Sequence, residues 1–169
     1  VGTDTQEATR FKADSDIQIA MRKASASAEA KALEPGKYTV ILEPMAAAGL
    51  IGFMFYFFGA READEGRSFL SKKGGGNRLG EQLFDKQVNI ITDPWDAGTP
   101  ALPWDMMGLP RQRQDLVKDG KVAFLNYSRY WAEKQGKQAT AMPGNILMAG
   151  GSKSTAELVK GTKKGLLVT

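Results

Sequence analysis

The stretch KYTVILEPMAAAGLIGFMFYFFGA, residues 37–60, says most about the fold of this chain. Residues 37–43 are β-branched and apolar, which predicts a buried strand. Pro44 is tolerated in a first helical turn, and the uncharged residues after it predict a helix that is apolar on every side. A helix of that kind is surrounded by protein or by a partner. The stretch therefore predicts a strand followed by a helix.

Residues 45–60 also resemble a membrane segment. They are shorter than the roughly 20 residues that span a bilayer, and Glu43 and Arg61 bound them. We expect a buried core helix, with an interfacial anchor as the alternative. Residues 1–15 are polar and carry no secretory signal, and the absence of cysteine fits a reducing compartment. We therefore expect a cytoplasmic protein.

Helix and strand signals alternate irregularly in the rest of the chain. Asp119-Gly120 predicts a two-residue hairpin turn within residues 111–127. Helices are predicted at residues 15–33, 128–135 and 154–164, and strands at residues 87–92, 145–148 and 166–169. Residues 60–69 read as a charged turn. The chain ends within an apolar strand signal, so we expect it to be part of something longer.

The composition excludes most common catalytic chemistry, because the 169 residues include neither histidine nor cysteine. No imidazole is present to act as a general base near neutral pH. Nucleophilic triads and ordinary zinc sites need imidazole or thiolate groups that this chain does not have. The net charge of +4 comes from dispersed lysines and arginines rather than from a clustered basic face. We therefore expect neither nucleic-acid binding nor membrane binding.

The glycine-rich segment Lys72–Arg78 is one candidate site. Consecutive backbone N–H groups at Gly74, Gly75 and Gly76, beside cationic side chains, are able to hold an anion. The segment lacks the Lys-Ser/Thr pair of a phosphate loop, so we favour a solvated loop. These glycines and Arg78 remain candidate contacts of a substrate or partner.

A second candidate is the charged cluster of Arg61, Glu62, Asp64, Glu65 and Arg67. Paired carboxylates are able to hold Mg²⁺ or Ca²⁺, or to transfer protons. The interleaved arginines instead favour ion pairs within the cluster. We expect a mainly structural role and keep all but Glu62 as candidate contacts.

A third candidate consists of aromatic residues, several of them in the long proline-rich connection at residues 93–110. Loops of this length are usually functional or pinned in place. Aromatic side chains in loops are able to line a groove for a peptide or ligand. We favour anchors that fix the loops to the core. The residues are Trp95, Trp104, Tyr127, Tyr130 and Trp131.

Four blocks of the chain, taken in order, resemble the C-terminal domain of the TldD/PmbA family, whose members are also called modulators of DNA gyrase. The blocks are KYTVILEPMAAAGLIG (37–52), GRSFLSKKGGGNRLGEQLFDKQVNIITDP (66–94), DMMGLPRQRQDLVKDGKVAFLNYSRYWAEKQGK (105–137) and PGNILMAGGSKSTAELVKGTKKGLLVT (143–169). The resemblance extends from about Asp16 to Thr169. It implies an α+β fold, a mixed sheet with packed helices. It also implies that residues 1–34 are a lead-in and interdomain helix. Residues 35–169 would be the first, incomplete part of the C-terminal domain.

The resemblance also implies what is missing. Catalytic members are zinc peptidases that act with a non-catalytic relative, and their zinc motif is His-Glu-x-x-x-His on the helix after the strand. This chain carries Gly52, Phe53 and Phe57 at those positions. We therefore expect no catalytic residue, no metal ligand and no cofactor, and take Phe53 and Phe57 as candidate partner contacts.

The function that we expect is that of a non-catalytic partner or scaffold subunit in a proteolytic or other hetero-oligomeric assembly. Its partner would be a homologous subunit or the remainder of the same protein, with a peptide as a further ligand. One alternative is a metal-dependent peptidase whose catalytic residues lie outside this chain. Another is a structural subunit of a larger, membrane-associated complex that uses Phe53–Phe58.

Overall fold

The structure is a computed structural model that describes residues 8–29 and 31–169. It divides into two compact units. One combines the described residues up to Leu50 with Ser152–Thr169, and the other comprises Ile51–Gly151. Helices and strands occur in both units, as the predicted α+β class requires.

The elements follow one another as short pieces after a 3₁₀ turn at Ala8–Arg10. The helices are α1 (Ala13–Ala26), α2 (Pro44–Phe55), α3 (Ala60–Asp64), α4 (Arg129–Lys134) and α5 (Thr155–Gly161). The strands are β1 (Thr39–Leu42), β2 (Ile90–Thr92), β3 (Gln114–Lys118), β4 (Lys121–Val122), β5 (Leu147–Met148) and β6 (Gly165–Val168).

The first unit is built around a parallel pair of strands, β1 and β6, in a register that joins Thr39 to Gly165. The backbone N–H of Glu43 extends this pairing by donating to the carbonyl of Val168 at 2.8 Å. Ser154 and Glu157 form a capping box that starts α5. None of the described residues of this unit is buried.

The second unit contains the hydrophobic core and an antiparallel sheet in the order β4-β3-β2-β5. Apolar side chains from β2, β3 and β4 pack with those of α3 and α4 and of the segment after β4. Among the described residues, the buried hydrophobic side chains are Phe58, Ala60, Ala63, Leu70, Ile90, Leu116, Val117, Val122, Phe124, Leu125, Tyr127, Trp131 and Ala132.

The predicted hairpin is confirmed, and it joins β3 to β4. Asp119 has φ 49° and Gly120 has φ 74°, the left-handed conformations that a tight hairpin turn needs. Backbone groups outside the hairpin form hydrogen bonds with its turn. The Gly120 carbonyl accepts from the N–H groups of Leu83 and Phe84, and the Gly120 N–H donates to Val88.

Several element boundaries differ from the prediction. The first helix ends at Ala26 rather than at the predicted residue 33. Serine side chains near Ala26 compete for backbone hydrogen bonds, since the hydroxyl of Ser27 donates to the carbonyl of Lys23. The helix α5 ends at Gly161 instead of residue 164, and Gly165 begins β6. The charged turn predicted at residues 60–69 contains the short helix α3.

The expectation of a buried core helix after Pro44 is wrong. No residue of α2 is buried, and the helix ends at Phe55 because the chain then turns through residues 56–58. Met45, Leu50 and Phe53 are each more than half exposed. Ile51, Met54 and Phe55, in the C-terminal half of the helix, are partly buried against the hydrophobic core. The apolar sequence specified a helix, but the core contacts one side of it alone. No helix in the described part of the chain is long and apolar enough to cross a membrane.

The expectation that tryptophans pin residues 93–110 is also wrong, because Trp95 and Trp104 are mostly exposed. Polar side chains fix this loop instead. The Asn145 amide donates to the carbonyls of Asp93 and Thr99, and its oxygen accepts from the Asp93 N–H. Hydrogen bonds to backbone groups replace the apolar anchoring that was predicted.

Candidate functional site

Four aromatic side chains form a continuous surface around the C-terminal end of α2. We call Phe53, Tyr56, Phe57 and Phe69 the aromatic cluster. Phe53 meets Tyr56 and Phe57 edge to face, with ring centroids 6.4 and 5.7 Å apart. Phe57 contacts Phe69 in the same way at 6.4 Å. Edge-to-face contacts are favourable aromatic geometry, so the cluster is a coherent surface.

The aromatic cluster is exposed to solvent, although it packs against the hydrophobic core. Phe58, buried beneath it, stacks on Phe55 at 4.5 Å and contacts Phe69 at 6.1 Å. Phe53 is 65% exposed and Tyr56 is 77% exposed. Exposed aromatic groups in a contiguous patch are typical of interaction surfaces.

A hydrogen bond holds the two parts of the cluster together. The hydroxyl of Ser68 donates to the carbonyl of Phe57 at 2.7 Å and so fixes the loop that carries Phe69. Beside it lies a shallow pocket of about 330 Å³. Its lining consists of Phe57, Gly66, Arg67, Ser68 and Phe69.

The predicted charged cluster pairs internally, as expected from its sequence. Arg61 contacts Glu65 at 3.0 Å, and Arg67 contacts Glu65 at 2.6 Å and Glu62 at 3.6 Å. The hydrogen bonds from Arg67 and Arg61 lower the pKa of Glu65, and the bond to Glu65 raises the pKa of Arg61. The carboxylates of Glu62 and Glu65 are therefore partnered within the cluster.

Asp64, predicted with this cluster, has a separate structural role. One carboxylate oxygen accepts from the Asn77 amide at 2.6 Å, and the other accepts from the indole N–H of Trp131 at 2.8 Å. Asp64 thereby connects α3 to the glycine-rich loop and to α4. Both of its oxygens are engaged within the protein.

The glycine-rich loop is a tight turn, and two of its cationic side chains, Lys72 and Arg78, have partners within the protein. Gly74, Gly75 and Gly76 all have positive φ and are exposed. Lys72 pairs with Glu81 at 3.0 Å, and Arg78 donates to the Ser71 carbonyl at 3.1 Å. This arrangement agrees with a solvated loop.

The remaining predicted aromatic residues divide into two groups. Tyr127 and Trp131 are buried in the core and are anchors, as expected. Tyr130 is largely exposed, with the guanidinium of Arg61 5.8 Å from its ring centroid. Arg61 also lies 5.6 Å from the ring of Trp131, so the charged cluster and α4 are in contact.

Sequence reasoning missed the side chains that shape residues 102–111. The carboxylate of Asp105, 6% exposed, accepts N–H bonds from Met107, Leu109 and Met142 at 2.9–3.0 Å. Burial raises the pKa of Asp105, but the bonds from Leu109, Met142 and Met107 outweigh it, and the pKa is lowered overall. An aspartate three residues before Gly108 was the available turn signal.

The arrangement of strands, hairpin and α4 agrees with comparisons to known proteins. The profile of the PmbA/TldA metallopeptidase C-terminal domain matches residues 35–169. The chain belongs to the PmbA/TldD family. A curated relative, metalloprotease PmbA of Escherichia coli O157:H7, is 28% identical over 137 residues, which are 79% of this chain and 29% of that protein.

Solved structures support the same fold. A modulator of DNA gyrase from Thermotoga maritima has a TM-score of 0.79 at 22% identity, over 96% of this chain and 39% of its own. One from Bacteroides thetaiotaomicron gives 0.77 at 24%, over 90% and 34%. TldE from Thermococcus kodakarensis gives 0.75 at 17%, over 94% and 38%. The chain thus spans about a third of the length of these PmbA/TldD relatives.

The residues at the family's zinc-motif positions do not fit a zinc ion. Gly52, Phe53 and Phe57 carry no side-chain nitrogen, oxygen or sulfur, and the chain has no histidine or cysteine elsewhere. Within residues 8–29 and 31–169, no three acidic side chains are grouped to hold a metal ion. No step of a zinc mechanism is therefore assigned to this chain.

Proposed function

We propose that this chain is a non-catalytic subunit of the PmbA/TldD family that binds a homologous, zinc-carrying subunit through its aromatic cluster. The observation that carries the proposal is the replacement of all three zinc-motif positions by glycine and phenylalanine, with Phe53 exposed. Peptide handling is then a property of the assembly.

The side chains available for binding zinc and for general-base catalysis support a non-catalytic role. Hydrolysis by a zinc peptidase requires metal-bound water and a nearby general base. Gly52 and Phe57 replace the two histidines, and Phe53 replaces the glutamate. The nearby carboxylates of Glu62 and Glu65 are paired with arginines, which leaves them poorly placed to act as bases.

The surface chemistry supports a protein partner. Aromatic residues are enriched in the cores of protein interfaces, where they bury a large apolar area. Phe53 and Tyr56 offer such groups, and Arg67, which lines the neighbouring pocket with Phe57 and Phe69, provides a charged rim. An apolar centre with a polar rim is the usual anatomy of an interface.

Native mass spectrometry of the assembly purified from its source tests this proposal. We expect a complex of this chain with a second chain that bears His-Glu-x-x-x-His and bound zinc. If no such partner is present, the proposal is wrong. Metal-dependent peptide cleavage by this chain alone would favour the peptidase alternative instead.

A paired-variant experiment locates the contact. Tyr56→Lys places a charge in the aromatic cluster and is expected to weaken binding of the zinc-carrying subunit by about tenfold or more, because an unpaired charge is costly in an apolar interface. Lys73→Ala, in the exposed glycine-rich loop, serves as the control and should leave binding unchanged. Equal binding by both variants would place the contact elsewhere.

A further inference from the structure

A groove opens in the second unit where the two strands of the β3–β4 hairpin separate. The bond from the Ala123 N–H to the Leu116 carbonyl is the last one between them. Further along, the Asn126 N–H donates to the carbonyl of Phe58 at 2.8 Å, and this pairing draws the chain after β4 away from β3. Within the described residues, no backbone hydrogen bond connects residues 112–114 to the strand beyond Ala123.

Two adjoining pockets occupy this groove. We call the one of about 350 Å³ the lysine pocket, because Lys137 lines it. The other, of about 290 Å³, is lined by Arg111 and is called the arginine pocket. Together they fall within the range of roughly 300–1,000 Å³ that is typical of ligand pockets. They share Gln114, Gln138 and Thr140 in their walls, so one elongated ligand is able to occupy both.

Two hydrogen-bond donors meet in the lysine pocket. The ammonium group of Lys137 donates to the hydroxyl of Tyr127 at 2.8 Å, and this bond raises the pKa of Lys137, so the ammonium stays charged. Among the residues that the structure describes, no carboxylate forms an ion pair with Lys137, and none accepts the proton of the Tyr127 hydroxyl. Two N–H groups and one O–H group therefore remain for a ligand.

The backbone holds both donors in place. Tyr127 is buried, its N–H donates to the hydroxyl of Thr140 at 2.8 Å, and its carbonyl accepts from the Thr140 N–H at 3.0 Å. The N–H of Lys137 donates to the carbonyl of Ala132 at 2.8 Å. A site that is already ordered loses little conformational entropy when a ligand binds.

The other groups in the groove are apolar side chains and primary amides. Amides both donate and accept hydrogen bonds, which the backbone of an extended peptide requires. Within the described part of the chain, the amides of Gln112, Gln114 and Gln138 have no hydrogen-bond partner. The apolar lining of the lysine pocket consists of Leu79, Ala123, Phe124 and Leu125.

We infer that the groove binds the C-terminal residue of an extended peptide, with its carboxylate on Lys137 and Tyr127 and an apolar side chain in the lysine pocket. The two oxygens of a carboxylate match an ammonium and a hydroxyl donor that lie 2.8 Å apart. One cation lines the lysine pocket, which balances the single charge of a carboxylate. The guanidinium of Arg111 is instead bound to three backbone carbonyls.

The preceding residues of the peptide extend into the arginine pocket. There they run beside residues 112–114, whose strand is not paired on this side, and reach the amides of Gln112 and Gln138. Addition of an extended peptide to an open strand edge is a common mode of recognition. The inference concerns this chain's own residues and does not rest on the proposed zinc-carrying partner.

Saturation-transfer difference NMR with N-acetyl-Gly-Leu and the intact protein tests the inference. We expect saturable binding with a Kd of about 1 mM or tighter, which is ordinary for a ligand of this size. N-acetyl-Gly-leucinamide, which has no charged carboxylate, should bind about tenfold more weakly or worse, because hydrogen bonds to ionised groups are the stronger ones. Equal binding of the acid and the amide, or no saturable binding of the acid, overturns the inference.

Substitutions in the lysine pocket locate the site. Lys137→Gln and Tyr127→Phe should each raise the Kd of N-acetyl-Gly-Leu by about fivefold or more, since each removes a donor to the carboxylate. Lys134→Gln makes the same charge change on α4, outside both pockets, and should alter the Kd less than about twofold. If Lys134→Gln weakens binding as much as Lys137→Gln, general attraction to a basic protein explains the binding and the inference is wrong.

The stability of the two pocket variants is measured beside their affinity. Lys137 is exposed, so Lys137→Gln should unfold at the same temperature as the unmodified protein. Tyr127→Phe keeps the aromatic ring in the core and loses the hydroxyl alone. A Lys137→Gln protein that is folded and binds N-acetyl-Gly-Leu with unchanged affinity contradicts the inference, whatever Tyr127→Phe does.

A third ligand separates a peptide from a small organic acid. The compound 4-methylpentanoate has an apolar group and a carboxylate but no amide, so it should bind several-fold more weakly than N-acetyl-Gly-Leu. Equal affinity would assign the groove to small organic acids and overturn the peptide.

The peptide groove and the proposed partner contact are tested separately. Tyr56→Lys, which is expected to weaken binding of the zinc-carrying subunit, should leave the Kd of N-acetyl-Gly-Leu unchanged. Loss of peptide binding in Tyr56→Lys would place the peptide at the aromatic cluster and overturn the inference. Peptide binding by a protein that has no zinc-carrying partner would support the groove and leave the proposed function wrong.

Discussion

At the scale of single residues, Asp105 has the clearest structural effect outside the core. Its carboxylate collects three backbone N–H groups from two separate segments, 105–109 and 142. A buried donor that loses its acceptor costs about 1–3 kcal/mol. Asp105 and Asn145 together thus fix a loop that the sequence predicted to be held by tryptophans.

We expect Asp105→Asn to lower the free energy of unfolding by about 2 kcal/mol near pH 7, because an amide N–H₂ replaces one acceptor oxygen. The folded-state pKa of Asp105 is lowered, so its stabilisation is present above the ordinary value of 3.8 and is lost as the pH falls through the folded-state pKa. Denaturant unfolding from pH 7 down to pH 3 measures both effects.

The control is Asp119→Asn, which makes the same charge change in the hairpin turn, where asparagine before glycine is equally favourable. It should leave the free energy of unfolding at pH 7 nearly unchanged. If Asp105→Asn is as stable as this control, the three N–H bonds do not stabilise the loop.

At the scale of elements, the β3–β4 hairpin shows a local signal strengthened by distant contacts. Asp119 and Gly120 alone predicted the turn, and their φ values confirm it. Residues 82–88 then pack over the tip. The sequence did not predict this contact of residues 82–88 with the turn, because the two segments are far apart in the chain.

We expect Gly120→Ala to destabilise the second unit by about 3 kcal/mol or more. A Cβ at this position would overlap the carbonyl oxygens of Phe84 and Asp85, and φ is +74°. Gly66→Ala is the matched control, with φ +82° and nothing within 4 Å of the added Cβ. It should cost only about 1 kcal/mol, the cost of the left-handed conformation. Thermal unfolding of both variants measures their losses of stability. Equal losses would show that residues 82–88 move aside to accommodate the added Cβ.

At the scale of the whole molecule, the two units differ in how much they bury. The second unit holds every buried side chain among the described residues, whereas the first rests on one parallel strand pair. Parallel strands are normally covered on both faces. The two units should therefore open with different free energies.

Amide hydrogen exchange tests this difference. We expect residues 90–92 and 114–118 to be protected about a hundredfold more than residues 39–42 and 165–168, because local opening exposes few apolar contacts in the first unit. Equal protection would mean that both units unfold as one cooperative structure.

Whether a predicted element agrees with the structure depends on the physical cause of that element. Local signals were reliable for the hairpin turn, for the helices predicted at residues 128–135 and 154–164, and for the strand before Pro44, although the predicted burial of that strand is wrong. These features depend on neighbouring residues alone. Boundaries failed where weak propensities compete, as at the end of α1 beside Ser25 and Ser27.

The candidate sites were predicted in part for the same reason. Ion pairing among Arg61, Glu65 and Arg67 follows from their spacing, and the structure contains it. The sequence did not reveal Asp105 or Arg111 as organisers of a loop, because their partners lie up to 37 residues away. The sequence also predicted Trp104 as an anchor to the core, since apolar character alone does not show whether a side chain is covered.

By itself, the sequence determined the α+β class, the family resemblance and the absence of histidine and cysteine, because these depend on residue types and their order. The tertiary structure decided which apolar side chains are covered. Phe58 and Trp131 are buried, while Phe53 and Met106 remain in solvent. Burial depends on which distant segments meet in space, and no local pattern encodes that.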